Sequence, residues 1–172
     1  VTVRWAAPYD NGGIAITGYK VQKQNGATWV DVADATGLSI VVPKDAPGTR
    51  SYFRVIAFNA LGASAVSSTM SYAIPAAKAS PVQNVTVTAS TSVGYVQVTY
   101  AAPSNFGGGS FYGYYTYVSR DSGATWVLIG STTATSVRVS GPAAGVTWLY
   151  RVAASTSAGV GEVSAPVSYT GN

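Results

Sequence analysis

The sequence predicts an all-β protein made of two copies of one β-sandwich domain, the first copy lacking its N-terminal strand. Three observations lead there. Val, Thr, Tyr, Ser, Gly and Pro dominate the 172 residues, and these are strand and turn formers. Apolar and polar residues alternate with a period of two through many short segments. The second half of the chain also repeats the first. Leu is scarce and Glu162 is the sole glutamate, so long helices are not expected.

The repeat sets the domain plan. Val1-Thr-Val-Arg-Trp-Ala-Ala-Pro8 matches Val96-Gln-Val-Thr-Tyr-Ala-Ala-Pro103, Gly12-Gly13 matches Gly107-Gly108, and Gly18-Tyr19 matches Gly113-Tyr114. After an insertion of two residues, Gly26-Ala-Thr-Trp-Val30 recurs as Gly123-Ala-Thr-Trp-Val127. The register then holds without a gap: Arg54-Val55 with Arg151-Val152, Gly62 with Gly159, Ser71-Tyr72 with Ser168-Tyr169. The expected plan is a first module over 1–75, a Pro-flanked spacer over 76–80 and a second module over 81–172. Pro75 and Pro81 favour an extended, semi-rigid spacer. Pro81-Val-Gln-Asn-Val-Thr-Val-Thr-Ala89 reads as an opening strand with no counterpart before Val1. Either the first copy simply lacks that strand or a neighbouring chain donates it. Residue 1 falls inside a strand pattern, so an export signal is expected upstream of it.

Each strand follows from its alternation. Val1, Val3 and Trp5 share one face, as Val96, Val98 and Tyr100 do in the second copy. Tyr19 and Val21 point one way, Lys20 and Gln22 the other; Tyr114 and Thr116 point inward, leaving Tyr115 and Tyr117 outside. Ile40 and Val42, and Val137 and Val139, are the inward residues of the next strands. Phe53, Val55 and Ala57 face in while Arg54, Ile56 and Phe58 face out. About seven such strands per copy suffice for two stacked sheets. Asn25-Gly26 and Asp121-Ser-Gly123 sit where hairpin turns are needed, and Asp10-Asn-Gly-Gly13 supplies residues tolerant of positive φ.

These same residues resemble fibronectin type III domains of bacterial secreted or surface proteins. The Trp or Tyr followed by Ala-Ala-Pro, Gly-Gly and Gly-Tyr is similar to that family's second and third strands. Tyr52-Phe-Arg-Val-Ile-Ala-Phe-Asn-Ala-Leu-Gly62 resembles its sixth strand and the turn after it. The resemblance implies tandem immunoglobulin-like (fibronectin type III) β-sandwiches. Two positions depart from the pattern. Ser51 and Trp148 stand where the family has its corner tyrosine, so Tyr52 is expected to take over that hydrogen bond in the first copy. Thr156 stands where an Asn is usual. No Arg-Gly-Asp motif occurs.

Composition excludes most chemistry. There is no His and no Cys, which removes Ser-His-Asp and Cys-His catalysis and the usual zinc ligand sets. The six acids are Asp10, Asp31, Asp34, Asp45, Asp121 and Glu162, and none has an acidic mate in the other repeat. No duplicated carboxylate pair is therefore available for hydrolysis. Asp10 and Asn11 are too few oxygens for calcium, and Asn84-Val-Thr86 reads as a strand start. Ten Lys and Arg give a net charge of +4, but they are scattered rather than clustered, which argues against nucleic acid. No apolar run reaches the length of a membrane span. The chain is expected to be no enzyme and to need no cofactor or metal.

What remains is binding by outward-facing apolar residues. Ile56 and Phe58 in the first copy, and Tyr115 and Tyr117 in the second, are the candidates. Such faces suit other protein modules, copies of the chain itself, or the rings of a polysaccharide. The expected role is a structural or adhesive spacer of a larger extracellular or cell-surface bacterial protein, able to build a filament or coat by repetition. A virion decoration domain, or an accessory module of a secreted polysaccharide-degrading enzyme, are the alternatives.

Overall fold

A computed structural model describes residues 1–172. The chain forms two compact units, Val1–Pro75 and Ala76–Asn172. Every regular element is a β-strand, and no helix is long and apolar enough to cross a membrane.

Unit 1 contains β1 (Thr2–Arg4), β2 (Gly18–Asn25), β3 (Thr28–Ala35), β4 (Ser39–Val41), β5 (Arg50–Asn59), β6 (Gly62–Ala63) and β7 (Met70–Ala73). One sheet pairs β1 with β4; the other runs β3-β2-β5, with β6 and β7 also on β5. The alternation reads directly onto burial. Phe53, Val55 and Ala57 face inward from β5, Tyr19 and Val21 from β2, and Val3 and Val42 come from the small sheet and its flank. Val41, between two inward residues, is 74% exposed.

Unit 2 contains β8 (Gln83–Ala89), β9 (Tyr95–Ala101), β10 (Phe111–Ser119), β11 (Val127–Thr132), β12 (Ser136–Ser140), β13 (Thr147–Thr156), β14 (Gly159–Val160) and β15 (Val167–Thr170). Its sheets run β12-β9-β8 and β11-β10-β13, with β14 and β15 on β13. The core joins Val96, Val98 and Tyr100 of one sheet to Tyr114, Val118, Tyr150 and Val152 of the other. Tyr150 and its counterpart Phe53 are the largest fully buried side chains of the two units. Burying either contributes roughly 2–3 kcal/mol.

The duplication extends to an irregularity. The β2–β3 ladder shifts register between Val21 and Gln22, and the β10–β11 ladder between Thr116 and Tyr117. In each case the unpaired residue of the partner strand, Val32 or Ile129, packs against its own core. A bulge kept at the same place in both copies lets one more apolar side chain reach the interior.

The small sheet has three strands in unit 2 and two in unit 1, so the counterpart of β8 is the missing element. Residues 76–80, expected as a spacer, are fastened to unit 2. Ala77 N–H donates to Gly107 O at 2.9 Å, Ser80 N–H to Asn105 O at 2.8 Å, and Glu162 N–H to Ala79 O at 2.9 Å. Ala79 is fully buried. Gly107 (φ +69°) is required here, since a Cβ would stand 2.0 Å from Ala77 O.

The corner hydrogen bond differs from expectation. In unit 1, Tyr52 lies on the outside, and the buried Ser51 hydroxyl instead donates to Asp45, which also binds Lys23. Both contacts hold the Asp45 carboxyl below the usual range, the Lys23 hydrogen bond most. In unit 2 the bond comes from Tyr150, whose hydroxyl donates to Ser140 O at 3.0 Å. Tyr150 sits two residues beyond the family's position, on the same face of the strand, and so reaches the same side of the sandwich.

Candidate functional site

The outer face of each large sheet carries the candidate residues. In unit 1, β5 presents Arg54, Ile56 and Phe58 outward, with Gln22 opposite Arg54, Lys20 opposite Ile56 and Gly18 opposite Phe58. Ile56 and Phe58 are half-buried. The Lys20 ammonium lies 6.0 Å from the Phe58 ring centroid and binds Asp31 at 2.9 Å. Their mutual hydrogen bond raises the Lys20 pKa and lowers that of Asp31. The ladder continues from Gln22, which donates to Asp31 at 2.8 Å and accepts from Arg54 Nε at 2.7 Å. The Arg54 guanidinium is stacked 4.4 Å from the Trp29 ring centroid. Beside Phe58, Thr17, Lys20, Asp34 and Thr36 border a shallow groove of about 730 Å³.

In unit 2, Tyr115 and Tyr117 stand outward on β10, opposite Ala153 and Arg151 of β13. Both tyrosines are half-buried. The Arg151 guanidinium lies 4.1 Å from the Trp126 ring centroid and 5.7 Å from that of Tyr117. Its Nε is buried with no hydrogen-bond partner, which leaves the aromatic faces as its principal company. The structure therefore places each expected pair together on one sheet face, Ile56 with Phe58 and Tyr115 with Tyr117. It also covers part of each pair with a cation.

Trp29, Arg54, Trp126 and Arg151 went unnoticed as a set in the sequence. A signal existed. Gly-Ala-Thr-Trp and Arg-Val are repeated identically in both halves, although the Trp and Arg face away from the core. Identity at outward positions marks a shared surface device, here a Trp–Arg stack across the sheet.

The acids do not assemble into a reactive group. Asp10 and Asn11 accept the Gly12 and Gly13 N–H bonds at 2.8 and 2.9 Å, closing a turn. Asp121 accepts from the Thr125 side chain and backbone and from Ser119, which holds its carboxyl down at about 2. No three acidic side chains gather as a metal site would need. What the two faces present is aromatic surface with a guanidinium group stacked on a Trp ring in each.

No protein-family model matches the chain. It is similar to Endoglucanase B of Cellulomonas fimi, 31% identical over 181 residues that include 98% of this chain and 16% of that protein. The chain thus spans about one-sixth of the length of this curated relative. Among solved structures it is similar to the FN1-FN3 domains of chicken CNTN1, with a TM-score of 0.56 and 20% identity, over 99% of this chain and 61% of that one. A segment of domains from titin gives a TM-score of 0.53 at 20% identity, over 87% and 53% of the two chains. The fold is the tandem fibronectin type III, immunoglobulin-like β-sandwich, with the first sandwich one strand short.

Proposed function

We propose that this chain is a non-catalytic tandem module of a larger extracellular bacterial protein, where it spaces and presents a neighbouring domain. The observation that carries the reading is the alignment of 98% of the chain within 16% of an endoglucanase. Both sandwiches together thus resemble a small part of a much longer protein. Among the parents expected from sequence, a secreted polysaccharide-degrading enzyme is the one this similarity favours. The chemistry agrees, since the chain has no His or Cys, and Asp10 and Asp121 are tied into turns and Asp31 and Asp45 into ion pairs, which leaves no paired general acid and base on offer. The Ile56–Phe58 and Tyr115–Tyr117 faces serve as contact surfaces for adjoining modules or for polysaccharide.

The test places the chain between an endoglucanase catalytic domain and a cellulose-binding domain, then replaces it with a Gly/Ser linker of equal residue number. The reading expects slower hydrolysis of insoluble cellulose after replacement and an unchanged rate on a soluble cellulose derivative. Equal rates on both substrates, or hydrolysis by the chain alone, would overturn it. Tyr115→Ser with Tyr117→Ser should weaken any retention of the isolated chain on cellulose; unaltered retention removes that face from the account.

A further inference from the structure

We infer that the outer face of the large sheet in unit 2 docks a polypeptide segment whose aspartate or glutamate side chain, flanked by apolar residues, meets the Arg151 guanidinium. This partner chemistry rests on the reading of the Tyr115–Tyr117 face as a contact surface.

The two copies differ in one respect around a shared device. Both keep the Trp–Arg stack, Trp29 with Arg54 and Trp126 with Arg151. In unit 1 the guanidinium has a partner: Gln22 accepts the Arg54 Nε–H at 2.7 Å and donates to Asp31, which in turn holds Lys20. In unit 2 the ladders place Tyr117 at the position of Gln22, Leu128 at that of Asp31 and Tyr115 at that of Lys20. Unit 2 has therefore kept the cation and lost its acceptor. The Arg151 Nε is buried with no hydrogen-bond partner, and both salt bridges of the chain lie in unit 1. Residues 76–172 contain two acids. Asp121 is occupied by Ser119 and Thr125, and Glu162 lies outside the strands of this sheet. Arg151 is the sole charged residue on β10, β11 and β13.

A guanidinium donor held out of water without an acceptor is costly, and a carboxylate has the two oxygens that match its planar fork. Arg151 is half-buried rather than buried, which leaves the group open on its solvent side. The Trp126 and Tyr117 rings, 4.1 and 5.7 Å from the guanidinium, hold it in place and thin the water around it. An ion pair formed there is stronger than one in open solvent.

The surroundings indicate what carries the carboxylate. Leu128 is 49% exposed opposite Tyr117 and adds aliphatic surface to the rings. None of the three strands carries an Asn, Gln, Asp or Glu to hold the hydroxyl groups of a sugar. Tyr, Trp and Arg without Lys, Asp or Glu is the composition found at the centre of protein–protein contacts. A polypeptide with an acid between apolar residues complements this face in both charge and polarity.

The test titrates the intact chain with the acetylated, amidated peptide Ala-Leu-Glu-Leu-Ala and with its Gln counterpart, followed by NMR. Shifts are expected in the amides of residues 115–117, 126–128 and 151 and in the Arg151 side-chain Nε–H. The Glu peptide should bind about fivefold more tightly than the Gln peptide at low salt, and the margin should shrink as salt is added. Tyr117→Gln hands Arg151 the acceptor that Gln22 gives Arg54, in an arrangement that unit 1 already accommodates, and should abolish the preference for Glu. Tyr117→Leu supplies no acceptor and should retain it. Arg151→Gln should abolish it as well, whereas Arg4→Gln, which removes the same charge from unit 1, should leave it intact. Silent amides at millimolar peptide, or a preference that survives Tyr117→Gln or Arg151→Gln, would overturn the inference. Equal binding of the two peptides with Tyr115 and Tyr117 shifted also overturns it while leaving the contact surface itself standing, so the two claims fail separately. A galacturonate trimer that binds this face more tightly than the Glu peptide would make an acidic polysaccharide the occupant, and the polypeptide would be refuted.

Discussion

Replacing Tyr150 with Phe tests the interior of unit 2 and its charge state together. Tyr150 is fully buried and its hydroxyl donates to Ser140 O at 3.0 Å. Tyr150→Phe keeps the ring, whose position Phe53 already fills in unit 1, and deletes only that hydrogen bond. The cost at neutral pH is about 1 kcal/mol, a fall of roughly 4–8 °C in the melting temperature of a unit of this size. Burial pushes the Tyr150 phenol up to about 12. A group held protonated by folding stabilises the fold fully below its unfolded value near 10, and that stabilisation fades as the pH rises through 12. Near pH 12 the wild type has therefore lost about 2 kcal/mol relative to neutral pH, a loss from which the Phe variant, with no phenol to ionise at this position, is free. Tyr100, also raised to about 12 by burial and by Tyr114, titrates in both proteins and cancels in the comparison. Melts at pH 7, 10, 11 and 12, followed through resolved NMR amides of unit 2, should show the gap closing and then reversing. A constant gap across that range, or no gap at pH 7, refutes the reasoning.

Three further outcomes follow from the geometry. A double-mutant cycle of Arg151→Ala with Trp126→Leu should yield a coupling of about 0.5–1 kcal/mol in denaturant unfolding, as for a partly exposed cation–π pair; zero coupling would mean that the stack is incidental. Gly107→Ala should destabilise unit 2 by about 2 kcal/mol or more in the same assay, because the Cβ meets Ala77 O in a positive-φ conformation. The Asp121 carboxyl, held down at about 2 by Thr125 and Ser119, supports its turn above the ordinary carboxylate range and releases it only as the pH falls towards 2. The Thr125 amide shift should accordingly titrate near 2, and in Asp121→Asn it should not titrate at all.

Strand register was legible because it depends on neighbours in sequence. Phe53, Val55 and Ala57 face inward as their spacing requires, and Tyr114 and Thr116 do so while Tyr115 and Tyr117 stand outside. Features set by distant partners were not. Ala79 looks like spacer between two prolines, and only Gly161, far along the chain, leaves room to bury it. The sequence showed Trp148 where the family has its tyrosine and named no donor for the second copy; the bond comes from Tyr150, two residues on, because spacing along one strand cannot say which of two same-face side chains meets the far carbonyl. The Trp–Arg stacks needed the fold to bring the Gly-Ala-Thr-Trp strand and the Arg-Val strand to one face. Those repeats were visible, but their meeting was not.

The claim beneath all of this is that each half of the chain encloses a dry interior of its own, and the second half excised alone examines it most directly. Residues 76–172 should fold cooperatively, with amide spectra of β9, β10 and β13 matching those in the intact chain and with Tyr150 still shielded from solvent. An unfolded or molten fragment, lacking dispersed amides and binding hydrophobic dye, would contradict the account.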